Sequence, residues 1–252
     1  MKFMNFKKIN YKKLNDCFMK KIKKNYTIAL IPAKKISRGL KNKNMRKING
    51  KSLSEIAIMN AKKSKYIDKI YVSTDSKKIS LLAKKYAVNL INRPNYLCQD
   101  HTESKKVIMH FIQNLPISEK KKNNTIVYLQ PTSPLRNYKD IDKAIKNFNL
   151  KKTDSLISVS KLDSKFLKVV KLENNVLTEL NSNMLTKNRQ KLNNFYFLDG
   201  FIFIFTIRKF LEQKNFLNKS IPYFTPKLKS IDVDNYSSYK YAKEILKNEN
   251  WK

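Results

Sequence analysis

Near its carboxyl end the chain carries Ile231-Asp232-Val233-Asp234, two carboxylates at i and i+2. On an extended segment that spacing places both side chains on one side. Like charges so close repel, and a shared divalent cation relieves them. Mg²⁺ takes one or two carboxylates together with substrate phosphates and water. The plainer alternative is a pair of exposed acids easing local positive charge. A second cluster, Leu129-Gln130-Pro131-Thr132-Ser133-Pro134-Leu135-Arg136, has two prolines bracketing Thr132 and Ser133. Proline fixes φ, so the backbone there is stiff, and Gln130 brings both donors and acceptors to read a base or sugar edge. A third stretch, Ile31 to Asn44, holds Lys34, Lys35, Arg38, Lys41 and Lys43. Such a concentration suits a triphosphate, although Lys is abundant everywhere in this chain. The spaced glycines of a Walker loop are absent. Ser73-Thr74-Asp75 adds polar groups, with Asp75 equally able to cap a helix. His101 and His110 lack metal-ligand spacing and read as surface or cap residues.

The elements that must position these groups follow from periodicity. Tyr26–Ile31, Lys69–Ser73, Val88–Ile91 and Thr125–Leu129 are short apolar runs rich in β-formers, the pattern of buried strands. Between them the spacing predicts helices: from Ser52 to about Ser64, opened by a Ser52/Glu55 capping box, and from about Ser76 to Tyr86. Two more are predicted over 103–115, with Val107, Ile108, Phe111, Ile112 and Leu115 on one stripe, and over 138–148. Strand alternating with helix argues for a mostly parallel sheet flanked by helices, which binds ligands at the carboxyl ends of its strands. Asn49-Gly50 and Asn174-Asn175 are turn signals. Further on, Leu156–Val159, Leu167–Leu172, Phe195–Phe205 (interrupted at Asp199-Gly200) and Ile231–Val233 read as strands. A short helix near 206–214 and a closing one over 236–246 follow. Residues 151–195, with a polar loop at 181–194, read as an insertion projecting from the main body.

With 252 residues the chain makes one large domain, or one domain with a small appendage. Its net charge of +35 invites a nucleic-acid reading, but only six of its 54 basic residues are Arg, the side chain of bidentate phosphate and guanine contacts. Lys travels with Asn and Ile throughout, as codon bias in an AT-rich genome produces, so no nucleic-acid partner is expected. Nothing approaches the roughly 18 apolar residues of a membrane span. Cys17 and Cys98 form no framework or metal site, and a reducing cytoplasm is the default. Residues 1–25 are a basic extension in which Phe18 and Ile22 share a helical face, or a misplaced start with Met19 the initiator.

From about Ile28 to Leu246 the ordered motifs resemble the N-acylneuraminate cytidylyltransferases, the CMP-sialic acid synthetases. That family's Ile-Pro-Ala-Arg-Gly-Gly-Ser-Lys-Gly loop is similar to Ile31 through Gly39, and RKINGKSL continues it at 46–53. Its Ser-Thr-Asp is Ser73-Thr74-Asp75 and its Arg-Pro is Arg93-Pro94. Its Asp-x-x-x-Ser is Asp100 to Ser104, its Gln-Pro-Thr-Ser-Pro-Leu-Arg is 130–136, and its Asp-x-Asp is 232–234. Arg189-Gln190 resembles the family's Arg-Gln near the sugar. The departures are Lys34 for Arg, Lys35 and Ile36 for two glycines, and Asp199 where Asn is usual.

The resemblance implies a Rossmann-like nucleotidyltransferase fold with residues 26–252 as the cytidylyltransferase domain. It implies CMP transfer from CTP to a nine-carbon 2-keto sugar acid, and a homodimer in which 151–195 reaches the partner's site. By the same resemblance Lys34, Ser37, Lys43 and Asn44 hold the nucleotide. Arg93, Thr102, Ser104 and Gln130 serve its neighbourhood, with Thr132 and Ser133 as wall. Arg189, Gln190 and Gln130 meet the sugar, Lys43, Arg189 and Asp234 act in catalysis, and Asp232 with Asp234 binds Mg²⁺. Other acids (legionaminate, pseudaminate, a Kdo-type sugar), a catalytically impaired relative, a glycosyltransferase using Asp-Val-Asp and a nucleic-acid binder are the alternatives.

Overall fold

A computed structural model describes residues 25–163, 166, 170–179, 195–212 and 219–247. In chain order its strands are β1 (Thr27–Pro32), β2 (Lys47–Ile48), β3 (Lys51–Ser52), β4 (Lys69–Thr74), β5 (Asn89–Asn92) and β6 (Thr125–Tyr128), followed by β7 (Ser155–Lys161), β8 (Val170–Glu173), β9 (Val176–Glu179), β10 (Tyr196–Thr206) and β11 (Ile221–Phe224). The helices are α1 (Leu53–Lys63), α2 (Lys77–Lys85), α3 (Ser104–Gln113), α4 (Tyr138–Leu150), α5 (Ile207–Glu212) and α6 (Tyr236–Lys247). Seven strands form the central sheet in the order β11-β7-β10-β6-β1-β4-β5. Every neighbouring pair is parallel except those of β10, which is antiparallel to both β6 and β7. This is the mostly parallel α/β sheet that the alternating periodicity predicts.

The apolar runs are continuous because both sheet faces are covered. On one face Ala29, Ile31, Val72 and Val127 meet Ile58 of α1, Ile79 of α2 and Ile141 of α4. On the other Ile28, Leu30, Tyr71 and Ile126 meet Ile108, Phe111 and Ile112 of α3. The Ser52/Glu55 capping box opens α1 in both directions: Glu55 N donates to Ser52 Oγ, and Ser52 N donates to Glu55 Oε2. A smaller cluster joins Leu40, Ile48, Leu53, Val233 and Ala242, tying the loop after β1 to the 231–234 segment and α6.

Several expectations need correction. Ser155–Lys161 lies inside the central sheet, where Leu156 and Ile157 are buried on opposite faces. The stretch 151–195 therefore does not project from its start, and its separate part among the described residues is the β8–β9 hairpin. Asn174 and Asn175 turn that hairpin with φ of +49° and +65°. Ile231–Val233 is no strand: its backbone ties to a loop, Val233 N donating to the Thr132 carbonyl at 2.8 Å. β11 escaped the sequence reading because Pro222 interrupts it, which an edge strand tolerates. Helix α2 is capped by Ser76 rather than Asp75. Phe18, Ile22 and the 181–194 loop fall outside the described residues.

Candidate active site

Since β10 alone runs backwards, the carboxyl ends of β1, β4, β5 and β6 open onto one edge of the sheet, where β10 begins. The loop after β1 is fastened there from several sides. Ala33 N donates to the Ser73 carbonyl at 2.9 Å. Lys35 N donates to Asp75 Oδ1 at 2.7 Å, which is what Asp75 does in place of capping. Asn44 Nδ2 donates to the Lys34 carbonyl at 2.8 Å, closing the loop on itself. Gly39 lets this loop touch the 232–234 segment: a methyl group there would overlap the Asp234 carbonyl oxygen.

Around this edge lies a cleft of about 170 Å³. Nine residues singled out in the sequence line it together: Lys34, Ser37, Lys43, Asn44, Arg93, Thr102, Ser104, Gln130 and Thr132. They come from three separate connections of the chain, after β1, β5 and β6, with Ser104 at the start of α3. Ser133 sits behind the wall, 2% exposed, with its Oγ donating to the Gly200 carbonyl at 3.5 Å. Arg189 and Gln190 lie outside the described residues. Gln99 and Tyr128 also line the cleft and were missed by sequence reasoning. Tyr128 ends a buried strand, a position from which a side chain naturally faces the ligand edge, and that position was its available signal.

The charges around the cleft are mutually arranged. Asp100 receives Lys34 Nζ at 2.7 Å and Arg38 Nε at 2.6 Å. Lys34, as hydrogen-bond donor, is the main reason its carboxyl stays below the usual carboxylate range. Arg93, 7% exposed, donates through Nε to Ser73 Oγ at 3.2 Å and through Nη2 to the Ser73 carbonyl at 2.8 Å. Burial lowers its proton affinity, yet an arginine keeps its charge. Burial pushes the phenol of Tyr128 up, against an opposing hydrogen bond with Ser104. Lys43 Nζ pairs with Asp234 Oδ1 at 2.6 Å across the mouth.

Val233 points into the core while Asp232 and Asp234 stay accessible, so the two carboxylates do share a side. Although Asp232 keeps exposed surface, its carboxyl is raised to about 6: crowding by the surrounding chain and the neighbouring Asp234 push it up, and Thr132 and Lys43 oppose them. Two hard oxygen donors in repulsive contact suit a divalent cation. Among the described residues no group of three or more His, Cys, Asp or Glu side chains could hold a metal ion. A cation at this carboxylate pair would therefore need phosphate oxygens and water for its remaining ligands.

Asp199 turns away from the cleft. It is 6% exposed and accepts from Ser158 Oγ, Ser160 Oγ and the Phe201 amide. Sequence reasoning noted the residue as a departure without finding that role, because its partners lie about forty positions away on β7.

A model of the cytidylyltransferase family matches residues 28–248. The N-acylneuraminate cytidylyltransferase of Escherichia coli O18:K1:H7 is 29% identical over 226 residues, 88% of this chain and 52% of that protein. The chain thus spans about half the length of that relative. The CMP-N,N'-diacetyllegionaminic acid synthase of Legionella pneumophila is 27% identical, covering 87% of this chain and 95% of that one. A solved structure of CMP:2-keto-3-deoxy-manno-octonic acid synthetase with CTP superimposes with a TM-score of 0.64 at 13% identity, over 89% of this chain and all of that chain, a likeness of fold. Because the family match runs through every connection that lines the cleft, the chain belongs to the cytidylyltransferase family.

Proposed function

We propose that this protein transfers CMP from CTP to the anomeric oxygen of a nine-carbon 2-keto sugar acid of the sialic acid type. The observation that carries this reading is the convergence of the nine residues named above on one cleft, inside a chain of the cytidylyltransferase family. The anomeric hydroxyl oxygen attacks the α-phosphorus, the bond from that phosphorus to the bridging oxygen breaks, and pyrophosphate leaves with its electron pair. The hydroxyl proton passes to solvent. Such transfers depend on positioning and on neutralising charge at the phosphates.

Lys34 and Lys43 supply that neutralisation from one wall of the cleft. Each is held by an acid, Asp100 and Asp234, so each can exchange a carboxylate partner for phosphate. Arg93 adds a buried positive charge fixed by Ser73. Ser37, Asn44, Thr102 and Ser104 offer polar contacts to the nucleotide, with Thr132 and Ser133 as wall. Gln130 reads the base or sugar edge. Asp232 and Asp234 would hold Mg²⁺, which when bound supplies further charge neutralisation at the phosphates. Arg189 and Gln190 are assigned to the sugar by their resemblance to the family's Arg-Gln.

A second reading keeps the chemistry and changes the acid to legionaminate, pseudaminate or a Kdo-type sugar. The likeness to the Legionella relative favours it. We also propose a homodimer, supported by the exposed Leu172, Val176 and Leu177 of the hairpin and Tyr196, Phe197 and Leu198 of β10. Incubation with CTP, Mg²⁺ and each acid in turn, with pyrophosphate measured, tests the reading. Release with a sialic acid is expected, release only with another acid selects the second reading, and no release with any acid contradicts both.

A further inference from the structure

Two buried charges of opposite sign, Asp199 and Arg136, hold the same stretch of β10 behind the cleft wall. Asp199 accepts from Ser158 Oγ at 2.5 Å, Ser160 Oγ at 2.6 Å and Phe201 N at 3.0 Å, and Ser158 Oγ in turn accepts from Ile202 N at 2.9 Å. These bonds hold the stretch of β10 where its register on β7 shifts, between Leu198 and Phe203. Arg136, 3% exposed, grips the same stretch from the other side. Its guanidinium donates to the Phe201 carbonyl and, at 2.7 Å, to the Gln130 carbonyl, and it lies 5.8 Å from the Phe201 ring centre. Between the two grips sits Gly200, with a φ of +69° that L side chains rarely adopt. A methyl group on it would come into ordinary contact with Gln130 Oε1, at 3.4 Å, so Gly200 faces the Gln130 side chain, and a substitution there acts on it through backbone strain.

All three partners of Asp199 donate, which suits a carboxylate that only accepts. An amide at this position has one oxygen, so its NH₂ would turn to a serine hydroxyl, which must then accept and give up the bond it donates to the carboxylate. A buried guanidinium without a nearby negative charge is costly as well. Asp140 and, after it, Asp199 supply that charge to Arg136, and the Asp199 carboxylate is matched directly to Ser158, Ser160 and the Phe201 amide.

We propose that Asp199 and Arg136 are positioning residues: together they lock the irregular stretch of β10 so that Gly200 backs Gln130 and aims its amide into the cleft. The consequence for turnover rests on the cytidylyltransferase reading, while the placement of Gln130 does not. Two measurements keep these apart. In steady-state assays, Asp199→Asn and Gly200→Ala are each expected to lower kcat/KM for CTP about tenfold, the size of losing a hydrogen bond to a charged group or of displacing a recognition side chain. In a Gln130→Ala background the same substitutions should change it less than about twofold, since effects carried by one side chain do not add. Equal losses in both backgrounds would overturn the proposal. The second measurement needs no activity: the Gln130 side-chain amide resonance, identified by its disappearance in Gln130→Ala, should move in Asp199→Asn and in Gly200→Ala. An unmoved resonance in both variants would overturn the proposal even for a protein that turns over no acid. Conversely, a moved resonance in a protein that releases no pyrophosphate would remove the enzymatic reading and leave the positioning intact.

Discussion

The β4–β5 end of the central sheet and its β7–β10 end are finished differently. At the first, charged groups are paired within the chain: Lys34 and Arg38 on Asp100, Arg93 on Ser73, Lys43 on Asp234. At the second, Tyr196, Phe197, Leu198 and Phe224 keep large exposed surfaces, and the nearby hairpin exposes Leu172, Val176 and Leu177. Apolar side chains gathered on a surface call for a cover. Among the described residues, then, the cleft end pairs its charges within the chain, while the hairpin end leaves apolar side chains exposed, as the proposed homodimer requires.

The largest effect should come from breaking the cleft end at its acids. Asp232→Asn and Asp234→Asn should each lower pyrophosphate release by at least on the order of 10²-fold, because charge stabilisation at a reacting phosphate is worth several kcal/mol. Excess Mg²⁺ should partly restore a weakened site. Parental rates in both variants would reduce the pair to surface acids. Next comes Gly39→Ala, whose methyl group forces the loop off the Asp234 backbone. It should raise KM for CTP by roughly tenfold, the scale of a small misplacement of binding groups, with the melting temperature little changed.

At the hairpin end, Leu172→Asp with Leu177→Asp should shift the protein toward monomer in sedimentation, since a buried unpaired charge opposes association. The CTP affinity of the cleft should stay parental. A parental sedimentation coefficient would show that another surface makes the dimer. Smaller still is Glu55→Gln. Burial raises the Glu55 carboxyl, but hydrogen bonds from Tyr86, Lys85 and Ser52 N outweigh it and hold the carboxyl below its ordinary 4.5. A group lowered on folding stabilises above its unfolded value and loses that contribution as pH falls. Glu55→Gln should therefore lower stability by about 1 kcal/mol at pH 7, and the deficit should shrink below about pH 4. The smallest change is expected from Lys34→Arg, which keeps the charge and brings a fork suited to phosphate; activity equal to or above parental is the expected result.

The same contrast runs through what could be read from the sequence. Strands β1, β4 and β6 and helices α1 to α4 were legible because burial on both sheet faces makes continuous apolar runs and stripes, and serines cap the starts of α1 and α2. Lys34, Lys43, Gln130 and Thr132 were legible because they lie on connections after strands, whereas Ser37, Asn44, Arg93, Thr102 and Ser104 were reached through the family resemblance. What escaped depends on partners distant in sequence. β7 looked like the start of an insertion because its neighbours, β10 and β11, lie thirty-five or more residues further on. Asp232 and Asp234 looked like a strand end because alternation with Val233 mimics one, whereas the backbone ties to Thr132 and the core at Leu40 and Ala242 holds the valine. Asp199 could not be assigned without Ser158 and Ser160 beside it.

Calorimetric titration of CTP into the protein, with UTP and ATP as controls, tests most directly whether this cleft is a CTP site. In so basic a chain any triphosphate can bind loosely, so selectivity and its loss are what count. One CTP per chain is predicted, tighter than UTP or ATP, with affinity falling at least on the order of tenfold in Lys43→Ala as a phosphate-facing charge is removed. Equal binding of the three nucleotides, unchanged in Lys43→Ala, would contradict the assignment.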